Sequence, residues 1–151
     1  MALRVRLWVW LSNLYPAFLR KVYHMELGKG VRLSYKANLD KSINPRGIHI
    51  GDDTWVLAGA YVLAHDHCRG IKADTYIGSN CVIGIASVIM PGVRIGNEVV
   101  VGASSVVTKD VPDKCIVVGN PARIIKTGIH VCKGKLCKEE LGGVKVEKSG
   151  C

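Results

Sequence analysis

From Ile77 the chain repeats every six residues, reading IGSNCV, IGIASV, IMPGVR, IGNEVV, VGASSV and VTKDVP. A β-branched aliphatic opens each hexad, at Ile77, Ile83, Ile89, Ile95, Val101 and Val107. Four residues later stand Cys81, Ser87, Val93, Val99, Ser105 and Val111, all small or compact, and Gly takes the second position in four of the six. An α-helix repeats at about 3.6 residues and a strand at 2, so neither accounts for a period of six. A short strand followed by a corner does, with one buried aliphatic per unit. Gly, Asn and Asp near the corners supply the backbone freedom each bend needs.

The same phase runs upstream. Ile50, Val56 and Val62 open IGDDTW, VLAGAY and VLAHDH, and Leu27, Leu33 and Leu39 open three weaker hexads. Interruptions at 45–49 and 68–76 break the phase. Stacked strand-and-corner units make a solenoid whose axis is filled by the first-position side chains. Three faces per turn would give a triangular prism. The spacing therefore predicts an all-β solenoid of about four to five coils.

Composition changes the picture modestly. Among 151 residues there are 17 Gly and one Phe, which suits small aliphatic packing and many turns rather than a helical bundle. The net charge of +9 asks for an anionic partner or surface. The basic residues are scattered, and no helix-turn-helix or aromatic-interleaved basic stripe appears, which argues against nucleic acid. Cys68, Cys81, Cys115, Cys132, Cys137 and Cys151 are not clustered as in a small secreted scaffold, so reduced thiols in a cytoplasmic protein are expected. The spacing of Cys132 and Cys137 is a weak zinc signal without a second pair.

At the N-terminus Leu3, Leu7, Leu11, Leu14, Phe18 and Val22 fall at helical spacing and predict an amphipathic helix. Ser12, Asn13 and Pro16 interrupt the apolar run, so a transmembrane span is not expected. Two roles stay open for this helix: capping the apolar end of the solenoid, or docking on a membrane surface through Trp8, Trp10 and the arginines.

The hexads resemble those of the bacterial hexapeptide-repeat transferases over about residues 27–126, most strongly from Ile77 to Arg123. That resemblance implies a left-handed parallel β-helix, a homotrimer with sites between subunits, and acetyl-CoA as co-substrate. His65-Asp66-His67, followed by a loop and a return to IGSN, is similar to the O-acetyltransferase branch acting on galactosides, maltose and polysaccharides. There a His before a protruding loop is the general base, a role suited to a group titrating near neutrality. His65 is favoured over His67, with Asp66 or a backbone carbonyl fixing its tautomer. The resemblance further implies the main-chain N–H of Ile85 as oxyanion donor. It places Ala103 and Thr108 against the pantetheine arm, and Lys109, Arg123 and Lys126 against the nucleotide phosphates.

Trp55 and Tyr76 are candidates to stack on a sugar ring, or else to pack at an interface. Arg69 and Lys72 in the loop would suit an acidic sugar or a sugar-nucleotide. No metal is expected: His49, His65 and His67 are available for a carbonic-anhydrase-like zinc site, but they lack the paired spacing. A non-catalytic scaffold is a further alternative, which the retained His65 opposes. The organisation expected is a helical cap at 1–26, the β-helix at 27–118, a closing segment at 119–130 and a loosely packed basic tail at 131–151. The acceptor expected is a sugar hydroxyl in a lipopolysaccharide, capsule or exopolysaccharide, with N-acetylation of an amino or nucleotide-linked sugar as the alternative. The chain is placed in the cytoplasm, at the inner face of the membrane if the helix docks.

Overall fold

The structure is a computed structural model that describes residues 14–137. Expectations about residues 1–13 and 138–151, Cys151 among them, lie outside the described residues. Residues 14–23 are helical, and the rest alternates short strands with turns.

Consecutive strands are dealt in rotation to three parallel sheets. The first face stacks Glu26–Leu27, Ile48–Ile50, Thr75–Ile77 and Arg94–Ile95. The second stacks Arg32–Leu33, Trp55–Val56, Val82–Ile83, Val100–Val101 and Cys115–Gly119, and Ala122–Thr127 pairs antiparallel to the last of these. The third stacks Asn38–Leu39, Tyr61–Val62, Val88–Ile89 and Val106–Val107. Every third hexad therefore lies above the first, as in the pairing of Ile83 with Val101 and of Ile89 with Val107.

The period of six has a direct physical cause here. All twelve hexad-opening aliphatics, from Leu27 to Val107, are buried. So are Cys81, Ser87, Val93, Val99, Ser105 and Val111, four positions later. These two columns close the interior, and the strand residues between them face outward. The second-position glycines answer to close approach between turns. A Cβ on Gly78 would lie 2.5 Å from the Gly96 carbonyl oxygen, and one on Gly84 would lie 2.5 Å from that of Val101. Backbone cannot retreat from such contacts, so the turns could not stack at this spacing with a side chain there.

At the corner between first and second faces, Asp53, Asn80, Glu98 and Lys114 all adopt positive φ, near 53° to 58°. Their amides form a ladder, each bonded to a carbonyl one turn below. The chain's final described stretch runs back along this corner. Ile129 N–H donates to the Lys114 carbonyl, Val131 N–H to the Glu98 carboxylate and Lys133 N–H to the Asn80 side chain, each at 3.2 Å. Val131–Cys132 and Lys135–Leu136 form an antiparallel hairpin, and Ile129 and Val131 are buried. The described part of the tail is thus docked, where loose packing was expected. No sequence period announces it, because its contacts are made to corners rather than to the core.

Candidate active site

Two breaks in the hexad phase, one turn apart at the corner between third and first faces, build the site. The lower break follows Leu39 and the upper follows Val62, and these two residues are stacked partners. The register puts Asp40 beneath the start of the upper break. Asp40 is buried, and its Oδ1 accepts the Ser42 and Ile43 amides at 3.2 Å, which shapes the lower loop. Its Oδ2 accepts a short hydrogen bond from His65 Nδ1. Burial alone would raise the Asp40 pKa, but the bonds from His65, Ile43 and Ser42 outweigh it and hold the carboxyl below its usual value.

The upper break is ordered. His65–Asp66 pairs antiparallel with Ile71–Lys72 as a small hairpin, and Ala73 N–H closes it on the Ala64 carbonyl at 3.0 Å. Asn44 Nδ2 donates to the same carbonyl at 3.0 Å and to Asp74 at 3.3 Å, tying the two breaks together. Thr75 Oγ1 donates to the Leu63 carbonyl at 2.5 Å. His65 is held this way with about a fifth of its side chain open to solvent. With Nδ1–H given to Asp40, its Nε2 carries the lone pair.

Asp66 does not orient His65. It pairs with Arg69 Nε at 2.6 Å and accepts the Arg69 amide at 3.0 Å, and this partner pulls its pKa down. The tautomer-fixing role expected of Asp66 thus falls to Asp40, twenty-five residues upstream. Arg69 is spent on closing the loop. His67 is exposed on the hairpin, and its carbonyl accepts the Gly70 N–H at 3.3 Å.

The other expected site residues sit elsewhere on the prism. Gly84 to Ser87 form a turn between second and third faces, closed by a 3.3 Å bond from Ser87 N–H to the Gly84 carbonyl. The Ile85 amide is at its outer position, with no backbone acceptor among the described residues. Ala103 stacks one turn above it, where Ser104 N–H donates to the Ile85 carbonyl at 2.8 Å. Thr108 and Lys109 are exposed on the corner that carries His65, two turns higher. Arg123 and Lys126 lie on the strand edging the second face. His65 and the Ile85 amide of one chain thus stand at different corners, with the third face between them.

Tyr76 is on the first face, stacked on His49 at 4.3 Å on one side, with the Arg94 guanidinium 4.0 Å from its ring centre. His49 and Arg94 come from the strands on either side, so both ring faces are covered. The sugar-stacking role expected of Tyr76 has no open face. His49 is itself held by Glu26 at 2.7 Å. Trp55 lies beneath Gly134 of the tail hairpin and carries Arg32 at 4.8 Å. It also lines an apolar cavity of about 720 Å³ with Tyr15, Tyr35, Leu57, Ala58 and Ile85. The cavity adjoins the Ile85 turn and has no sequence signature, since its walls come from four separate stretches.

Residues 74–109 match the family described as bacterial transferase hexapeptide (six repeats). The chain is 37% identical over 116 residues to YvoF of Bacillus subtilis (strain 168), provisionally named an acetyltransferase, covering 76% of this chain and 64% of that protein. It is 31% identical over 143 residues to a serine acetyltransferase of Synechococcus elongatus, covering 85% and 56% respectively. The chain therefore spans less than two thirds of either relative's length. Among solved structures, a maltose O-acetyltransferase from Clostridium difficile 630 superposes with a TM-score of 0.60 and 27% identity, over 74% of this chain and 73% of that one.

Proposed function

We propose that this hexapeptide-repeat chain is an acetyl-CoA-dependent O-acetyltransferase acting on a sugar hydroxyl in surface-polysaccharide synthesis, with His65 as general base. The observation that carries the reading is the buried Asp40 carboxylate bound to Nδ1 of a partly exposed His65. A carboxylate so placed fixes the tautomer that leaves Nε2 basic, and it stabilises the imidazolium formed when a proton is taken.

In this mechanism His65 Nε2 removes the acceptor hydroxyl's proton as that oxygen attacks the thioester carbonyl carbon. The carbonyl oxygen becomes an oxyanion and accepts a hydrogen bond from the Ile85 amide. The intermediate collapses by breaking the carbon–sulfur bond, and the imidazolium returns its proton to the departing CoA sulfur. Ala103 and Thr108 flank the pantetheine arm, and Lys109, Arg123 and Lys126 meet the phosphates. Because His65 and Ile85 occupy different corners, the base of one copy would serve the amide of its neighbour, as a trimer of left-handed β-helices allows. Likeness to the maltose enzyme supports a hydroxyl acceptor.

The test is release of free CoA thiol from acetyl-CoA with purified chain and a panel of acceptors, including maltose, serine, glucosamine and isolated surface glycans. Acetyl transfer to glycan hydroxyls, abolished by His65→Ala, is expected. Transfer only to serine or to an amine would overturn the acceptor assignment, and undiminished transfer by His65→Ala would overturn the base.

A further inference from the structure

The helix at 14–23 has two unlike faces. Leu19 is fully buried and Pro16 is buried, while Tyr15 and Tyr23 pack against the core. Arg20 also turns inward, donating to the Leu27 carbonyl at 2.8 Å and to that of Gly28. On the opposite side Leu14, Phe18 and Val22 are 45%, 50% and 53% exposed. Their spacing of four sets them in one line along the helix, with Ala17 and Lys21, also exposed, on its flank. Among the described residues, the aromatic contact of that line is Phe18 against the edge of Tyr23, at 5.9 Å.

What such a face meets is decided by charge and area. Residues 1–25 contain Arg4, Arg6, Arg20 and Lys21 and no Asp or Glu, in a chain of net charge +9. A second copy would bring like charge onto like charge. Three half-exposed side chains also fall far short of the roughly 1,000 Å² that a specific protein interface buries. An anionic bilayer answers both points, since its headgroups attract Lys and Arg and its acyl boundary accepts a narrow apolar edge. No helix among the described residues is long and apolar enough to cross a membrane, which fits a helix lying in the surface.

We propose that the chain docks on anionic phospholipid bilayers through Leu14, Phe18 and Val22, with Lys21 at the headgroups. Tyr15, on the inner side of the same helix, lines the apolar cavity beside Ile85. Docking therefore sets that cavity near the bilayer, a position suited to a lipid-bearing acceptor. This last clause rests on the transferase reading; the docking does not.

The experiment is flotation of the full chain with vesicles of phosphatidylglycerol and phosphatidylcholine, and with phosphatidylcholine alone. Co-flotation with the anionic vesicles, weakened by high salt and by removing phosphatidylglycerol, is expected. The double variant Phe18→Glu/Val22→Glu should lower binding at least tenfold while keeping the melting temperature and the mass by light scattering. No flotation of the unaltered chain, equal flotation of the variant, or a change in the variant's oligomeric mass would each overturn the proposal. Should the variant not fold, quenching of the unaltered chain's tryptophan emission by brominated phosphatidylglycerol decides instead, and absence of quenching overturns it. Acetyl-CoA binding measured alongside keeps the two readings apart: its absence, with flotation intact, counts against the transferase alone.

Discussion

The run from Ile77 to Val111 and the paired breaks after Leu39 and Val62 share one prism but are held by different forces. In the regular run each turn repeats the last, and two columns of small or aliphatic side chains supply the cohesion. In the breaks the columns lapse. Polar bonds replace them: Asp40 to His65, Asn44 to Ala64 and Asp74, Thr75 to Leu63. A repeat averages its positions and leaves little room for a unique arrangement of polar groups. Where it breaks, two loops from successive turns can be brought face to face. The bond between Asp40 and His65 forms there for that reason.

Substitutions should separate the two regions. The largest effect expected is on catalysis: His65→Ala should reduce acetyl transfer by about 10²- to 10⁴-fold. Asp40→Asn should cause a loss of similar order, and His67→Ala little change, all read as thiol release. If His67→Ala proved the more damaging, the base would move to the hairpin's exposed side. In the regular run Ile83→Ala should cost about 2–5 kcal/mol in urea unfolding, the usual penalty for a buried Ile cavity. Ile85→Ala, two residues on and 55% exposed, should fall within about 0.5 kcal/mol.

A smaller effect concerns acid. The lowered Asp40 pKa means that its charged form stabilises the fold. That contribution is intact above about 3.9, the unfolded aspartate value, and is lost as pH falls through the lowered folded value. Melting temperatures below about pH 4 should therefore fall more steeply for the native chain than for Asp40→Asn. Equal slopes would mean the carboxylate is not stabilised in place. The smallest is a matter of thiol reactivity. Cys68 and Cys132 are exposed and should react with a disulfide reagent in the folded chain. Cys81, whose pKa burial pushes up to about 11, should react only on unfolding.

The coils were legible because a period of six leaves a mark at every turn, and each hexad opening named from the sequence is buried. His65 was legible as a titratable residue where that period fails. Asp40 was not singled out, although its place was encoded: Leu39 lies under Val62, so the residue after Leu39 lies under the start of the upper break. Finding it required stacking the turns across the inserted residues, where adjacency along the chain favoured Asp66. The packing around Tyr76 was illegible for a related reason, since its neighbours His49 and Arg94 are close only after stacking. The tail hairpin was illegible because it rests on side chains and amides at corners, which carry no period.

A stack in which each turn touches only its neighbours behaves like a linear array, free to lose turns from either end. The returning tail alters that arithmetic. It bonds to Lys114, Glu98 and Asn80 in descending order and ends with Gly134 against Trp55. Any side chain at Gly134 would meet the indole, a Cβ lying 2.3 Å from it. The returning hairpin thus grips a lower turn, and the coils between are fastened lengthwise. Partial unravelling from the top must first release this strap, so opening becomes a joint event for four turns instead of a local one.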